Sequence, residues 1–307
     1  MSKVRVAVVQ AAAVPFDRGA CVEKAVRLIG EAAATGAKVV VFPEAFIGGY
    51  PKGLDFGTVV GVRDARGREE FRRYHEAAIE VPGPETDLLG GAAASHDCFV
   101  VMGIIEREGG TCYCTALFFG PTGELLGKHR KLMPTAMERL IWGFGDGSTL
   151  TAVDSPYGPI GSVICWENYM PMLRMAMYAK GVTLYCAPTA DDRDTWLPTM
   201  QHIALEGRCF VLSSCQFLRR GDFPDDVRVK LGSTPDDVLM RGGSVIVGPL
   251  GQVIAGPVFG EETILSAEID LRDIPRAKFD FDVVGHYSRP DVFQLVVNEQ
   301  AMRAVRN

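Results

Sequence analysis

Residues 4–10 form an almost unbroken run of apolar, largely β-branched positions, the pattern of a strand buried on both faces. Over residues 21–34 the spacing changes, and Val22, Ala25, Val26, Leu28 and Ile29 fall on one side of a helix. Gly36 ends that helix and residues 38–42 resume the buried-strand pattern, which predicts a β-α-β unit with its crossover inside one sheet. Glu44 stands just beyond the carboxyl end of the second strand.

Turn chemistry at residues 48–53 leads into a charge-rich stretch, to Val81, that reads as loop with a short helix. A helix is expected over 85–95 and a strand over 98–105, with a Gly109-Gly110 turn to a strand over 111–119. Pro121-Thr122-Gly123 then turns the chain toward residues 125–128. Residues 160–166 predict a strand with Cys165 at its end, followed by a helix over 170–179, a strand over 182–187, a helix over 196–207 and a strand over 209–215. Residues 244–248, 253–255 and 263–269 complete the expected strands. Helices and strands interleave in both halves with no linker or low-complexity tract. This predicts a single α/β domain over residues 1–307, with a C-terminal extension from about residue 275. Strands apolar on both faces need cover on both sides, from helices or from a second sheet.

Composition narrows the class. Apolar residues make up 47% and charged residues 23% of the chain, an ordinary globular balance. The formal charge is -6, and the basic residues are scattered rather than gathered into the face or stripe that nucleic acid requires. Eight cysteines in 307 residues are too dilute for a disulfide scaffold, and the N-terminus enters the first strand without a signal-peptide layout. These features predict a soluble, cytoplasmic protein acting on a small molecule, with neither nucleic acid nor membrane as partner. Charged residues interrupt every apolar window before it reaches a membrane-spanning length.

Three positions attract chemical interest. Cys165 ends a strand, where side chains of α/β enzymes face the ligand crevice, although a cysteine in an apolar run is also a small buried hydrophobe. Glu44 follows a run that should be buried; a desolvated carboxylate there is either a general base or an ion-paired structural acid. Lys131 belongs to a basic cluster, Lys-His-Arg-Lys, that is equally a solvated edge, and Glu138 follows seven residues later. The five histidines and eight cysteines form no local metal-ligand pattern, so no metal is expected. The glycine-rich segment 143–148 lacks a phosphate-loop ending, and no Gly-x-Ser-x-Gly elbow is present.

Three blocks then combine in order: Val-Phe-Pro-Glu-Ala-Phe-Ile-Gly-Gly-Tyr-Pro (41–51), Lys-His-Arg-Lys-Leu-Met-Pro-Thr (128–135) and Ile-Cys-Trp-Glu-Asn-Tyr-Met-Pro (164–171). Together they resemble the nitrilase superfamily of carbon-nitrogen hydrolases, and most closely its true nitrilases of plant and bacterial type, over nearly the whole chain. The resemblance implies a four-layer α-β-β-α sandwich, with Glu44 as general base, Lys131 as cationic stabiliser, Cys165 as nucleophile and Glu138 as a second glutamate orienting the lysine and substrate. Residues 186–191 look like a pocket wall, which adds Thr189 and Ala190 to an expected pocket of Tyr50, Trp142 and Trp166. Residues 285–291 look like a late structural motif. No cofactor is implied, and the subunits would pair into a homodimer or a larger spiral homo-oligomer.

The implied reaction hydrolyses a nitrile to a carboxylic acid and ammonia through a thioimidate and a thioester, with a nearby ammonium favouring the cysteine thiolate. An amidase or carbamoylase of the same superfamily would use the same residues on a planar amide. A noncatalytic α/β interaction protein would hold them as a buried ionic cluster. Trp166 directly after Cys165 favours the nitrilase, because an indole there narrows and dries a pocket for a linear C≡N group on an apolar body. Residues 219–240 look shorter than in plant relatives.

Overall fold

Alternation within the first strand decides the layering. In β1 (Lys3–Gln10) Val4, Val6 and Val8 enter one buried cluster, while Ala7 and Val9 turn the other way, against Val22, Ala25 and Ile29 of α1 (Arg18–Ala34). The computed structural model describes residues 2–302 and 305. From β1 the chain continues through β2 (Val39–Val41), the short strands β3 (Thr58–Val59) and β4 (Val62–Arg63), α2 (Ala65–Ala77), α3 (Pro84–Ser95), β5 (Phe99–Glu108), β6 (Thr111–Phe119) and β7 (Leu125–Arg130). There follow β8 (Ala152–Val153), β9 (Ile160–Ser162), α4 (Pro171–Ala179), β10 (Leu184–Thr189), α5 (Trp196–Gly207) and β11 (Phe210–Cys215). The last elements are β12 (Phe217–Arg219), β13 (Val238–Val247), β14 (Val253–Phe259), β15 (Thr263–Asp270) and α6 (Asp273–Ala277).

One sheet has the order β15-β1-β2-β5-β6-β7; the other has β12-β13-β11-β10-β9-β8, with β14 on β13. Each is parallel at its centre, where Val6 pairs with Val39, Val39 with Phe99, Ile160 with Leu184 and Leu184 with Phe210. The sheets face each other across Val6, Val8, Val39, Val41 and Val101 of one and Leu184, Cys186, Phe210, Leu212 and Ile246 of the other. The outer faces are covered by α1 and α3 on the first sheet and by α4 and α5 on the second. This is the expected α-β-β-α sandwich. Its parallel centres bring the carboxyl ends of β2, β9 and β10 to the same end of the molecule, where Gln216, just past β11, donates from Nε2 to the Glu44 carbonyl at 2.8 Å.

Three local expectations change. The charge-rich stretch before Val81 contains a full helix, α2, whose Asp64 side chain accepts from the Gly67 N–H at 2.6 Å; its buried stripe of Gly67, Glu70, Tyr74 and Ala77 is masked in sequence by surrounding charges. The strand expected over 160–166 stops at Ser162, because Cys165 takes a positive φ of 52° and opens a short 3-10 turn, Cys165–Tyr169. The strand expected from 244 begins at Val238, interrupted by Gly242 and Gly243 at φ 90° and 104°, which break its apolar pattern. Among the described residues no helix is long and apolar enough to cross a membrane.

Candidate active site

Each chemical group stands on a segment that its neighbours hold by backbone bonds. After β2 the chain stays beside β5: the Phe42 N–H donates to Val101, Ile47 to Gly103 and Ile105 to Ile47. Gly103 permits that approach, since a Cβ there would lie 2.0 Å from the Pro43 carbonyl oxygen and 2.9 Å from Glu44 Cα. Lys131 is one residue beyond β7; its N–H donates to Cys114 and its carbonyl accepts from Gly145, both at 2.8 Å. Cys165 starts the turn after β9, anchored where the Val163 N–H meets the Cys186 carbonyl at 3.0 Å. Ala45, Ala136 and Cys165 all carry positive φ, 52°, 48° and 52°. Backbone held there costs a non-glycine residue on the order of 1–3 kcal/mol, and such strain clusters where side chains must be aimed.

The groups converge in a buried cluster. Lys131 Nζ donates to Glu44 Oε1 at 2.6 Å and to Glu138 Oε2 at 2.8 Å. Glu138 also accepts from the Tyr50 hydroxyl at 2.7 Å and the Thr135 N–H at 2.6 Å. The Cys114 thiol donates to Glu44 Oε1 at 3.5 Å. Glu44 Oε2 is buried with no partner among the described residues. It is the free acceptor of the cluster.

Charge follows from this arrangement. Burial raises the Glu44 carboxyl above the usual range; Lys131 and Cys165 oppose the rise and Glu138 adds to it. Burial works against the Lys131 ammonium, yet Glu44 heads the negative groups that lift it well above the ordinary lysine value. At Cys165 the lysine acts in the expected direction, toward the thiolate, against stronger opposing effects. Burial and then Glu44 push the thiol pKa up, and Lys131 offsets only part of that rise. Ionising the sulfur is therefore opposed by its surroundings and is helped by a neighbouring group that takes the proton.

A cleft of about 190 Å³ opens on Cys165, lined by Tyr50, Lys52, Thr135, Glu138, Trp166, Ala190, Asp191, Asp192 and Arg193. Of the expected pocket residues, Tyr50, Trp166 and Ala190 stand in its wall. Thr189, fully buried, is beside the Cys165 sulfur beneath the surface. Trp142 is instead packed behind the lysine, its ring centroid 5.4 Å from Lys131 Nζ and its Nε1 donating to the Tyr74 hydroxyl at 3.1 Å. Trp166 is 41% exposed at the rim. Its Nε1 donates to Asp191 Oδ2 at 2.8 Å, and Arg193, itself paired with Asp191, lies 4.7 Å over the indole. The rim is more polar than the sequence reading expected.

Asp191 closes the pocket-wall block 186–191, whereas Asp192, Arg193 and Cys114 carried no signal in the sequence beyond proximity to a motif. Glu167 had one, a glutamate three residues after Ile164, the spacing at which a carboxylate reaches back to a turn's first N–H. Among the described residues no group of three or more His, Cys, Asp or Glu side chains is arranged to hold a metal ion.

A cysteine, a glutamate and a lysine just past strand ends, with a second glutamate on the turn Ala136–Leu140, define a class in a paired-sheet sandwich, and the chain belongs to it: the carbon-nitrogen hydrolase family, whose model matches residues 5–279. Within that family the similarity is to nitrilases. The chain is 63% identical over 305 residues to the aliphatic nitrilase of Sinorhizobium fredii, covering 99% of each protein. To a bifunctional nitrilase/nitrile hydratase of Lupinus angustifolius it is 58% identical over 307 residues, covering 98% of this chain and 88% of the lupin protein. The crystal structure of Saccharomyces cerevisiae Nit3 superposes with a TM-score of 0.71 at 24% identity, over 93% of this chain and 97% of Nit3. At that identity the match speaks for the fold.

Proposed function

We infer that this enzyme hydrolyses nitriles to carboxylic acids and ammonia, with Cys165 as nucleophile, Glu44 as proton carrier, Lys131 as electrostatic stabiliser and Glu138 as the anchor of Lys131. The observation that carries the assignment is the unpartnered Glu44 Oε2, on a carboxylate whose other oxygen Lys131 holds. As the thiol attacks the nitrile carbon, its proton passes to Glu44 and on to the substrate nitrogen, giving a thioimidate. A first water adds to the carbon. Protonation of nitrogen expels ammonia and leaves a thioester, which a second water, activated by Glu44, cleaves to the acid. Lys131 and the N–H after Cys165 can stabilise the charge that develops.

Product analysis tests this reading. Nitriles with aliphatic and arylaliphatic bodies should give acid and ammonia together without an amide lag. Glu138→Gln should raise the amide share, because a misplaced Lys131 and Glu44 protonate the nitrogen less well. Chromatography of acid and amide with ammonia assayed in the same samples measures it. Amide as main product across the panel, or turnover of matched amides but not nitriles, would overturn the assignment.

We also propose that the protein is cytoplasmic, where its eight unpaired cysteines suit a reducing compartment, and that it assembles into a homodimer or larger homo-oligomer. Of the apolar residues on α4, Leu173 and Met177 are buried within the subunit, but Met172 stays 70% exposed. Beside α4 the C-terminal stretch leaves Tyr287 and Phe293 63% and 78% exposed around a cleft of about 550 Å³. Exposed apolar surface of this extent is characteristic of an interface. Sedimentation at assay concentration should show no active monomer, and Met172→Glu should shift the distribution toward smaller species.

A further inference from the structure

Two buried side chains outside the reaction scheme join the segments that carry its cation and its nucleophile. The Glu167 carboxylate accepts the Leu132 N–H through Oε1 at 2.7 Å and the Ile164 N–H through Oε2 at 2.9 Å. Leu132 follows Lys131 and Ile164 precedes Cys165, so one carboxylate ties both backbones together. Its third partner is His129, whose Nε2 lies 3.1 Å from Glu167 Oε2. On the other side of the ring, Nδ1 lies 2.9 Å from the Thr149 carbonyl oxygen.

A carbonyl oxygen only accepts, so Nδ1 carries a hydrogen. Each Glu167 oxygen accepts a backbone N–H, an arrangement that favours the ionised carboxylate, which only accepts, so the geometry points to a hydrogen on Nε2 as well. A neutral imidazole has one N–H, and this site uses two. We propose that His129 is a doubly protonated positioning residue, whose imidazolium, paired with Glu167, keeps the Lys131 strand end and the Cys165 turn in register. The inference rests on the roles assigned above to Lys131 and Cys165.

Losing the proton would turn a ring lone pair toward Thr149 or Glu167, at a place where His129 and Glu167 are each only 1% exposed and solvent cannot compensate. Burial works against the charged ring, but Glu167 and the Thr149 carbonyl outweigh it and hold His129 above the ordinary histidine value. Glu167 is the charged group facing the ring. On the same strand, Lys128 and Arg130 are turned to Glu106, and Lys131 to Glu44 and Glu138. Behind Glu167, Tyr185 is held neutral, its hydroxyl pushed well up by burial and bonded to Asn168 at 3.0 Å. With the folded pKa raised, the positioning is complete below the ordinary histidine range and is lost as pH rises through the raised value.

Magic-angle-spinning NMR of sedimented wild-type protein labelled with 15N-histidine tests the protonation directly. Near neutral pH one ring should show both nitrogens protonated while resisting a soluble paramagnetic agent, since the other four histidines are exposed or half-buried. In parallel, His129→Asn and Glu167→Gln should lower kcat about tenfold to a hundredfold, the effect of small misplacement of reacting groups, with KM changed less than about twofold. His129→Asn should also abolish the alkaline decline of kcat. A neutral tautomer at the protected ring overturns the proposal whatever the variants do. A folded His129→Asn enzyme with full kcat and an unchanged pH profile overturns it too, because a merely structural histidine would cost stability alone. If the wild type turned over no nitrile, the function would fall while the NMR result still decided the state of the ring.

Discussion

Cys165→Ala should release no ammonia above a rate at least about ten thousandfold below wild type, the scale of loss when the nucleophile of a covalent mechanism is removed. The expectation is specific to one of eight thiols. Cys165 opens onto the cleft, whereas Cys114, although it donates to Glu44, is absent from the cleft wall and 1% exposed. Mass spectrometry of wild-type enzyme quenched during turnover should place an acyl or imidate adduct on Cys165. An adduct on Cys114, Cys186 or Cys215, or turnover by Cys165→Ala within about tenfold of wild type, would contradict the scheme.

Position near strand ends made Glu44 and Cys165 candidates with structural alternatives beside them, and the three motif blocks, through their resemblance to nitrilases, supplied the roles. The run preceding Glu44 called for a partner to its carboxylate, and Cys165 was expected at the end of a strand that in the structure stops three residues earlier, at Ser162. The basic cluster was ambiguous until its alternation became visible: Lys128 and Arg130 bond to Glu106, while His129 and Lys131 turn into the core. Sequence spacing gives little sign of that division, because the partner carboxylates other than Glu138 lie about twenty to ninety positions away on other segments. The Asp191–Arg193 clamp on Trp166 was hidden for the same reason. The full length of helix α2 escaped because its interior face is narrow, and the positive φ of Cys165 because β-branched neighbours imitate a continuing strand.

Glu44→Gln and Lys131→Met should each lose at least about a hundredfold in kcat, the order expected for a missing proton carrier or charge stabiliser, with smaller effects on KM. The two variants separate by pH. Lys131 opposes the burial-driven rise of the Glu44 pKa, so its removal lifts that pKa further. The base form of Glu44 then exists only at higher pH, and the acid limb of the residual Lys131→Met activity should move upward. Glu44→Gln should lose that limb. Removing Lys131 also leaves two carboxylates together in the core, an uncompensated buried charge worth about 3–5 kcal/mol unless one binds a proton. Thermal melts must accompany the kinetics for that reason. Folded variants that change KM alone would show that both residues bind substrate without taking part in the chemistry.

The clamp at the rim has an optical consequence. Of the three tryptophans, Trp142 and Trp196 are 3% and 2% exposed, with their indole N–H groups committed to Tyr74 and Ser213. Trp166, adjacent to Cys165 and beneath the Arg193 guanidinium, is the fluorophore that an aqueous quencher can reach. The enzyme therefore carries an intrinsic reporter at the mouth of its own cleft, by which filling and emptying of the site can be followed in the unlabelled protein.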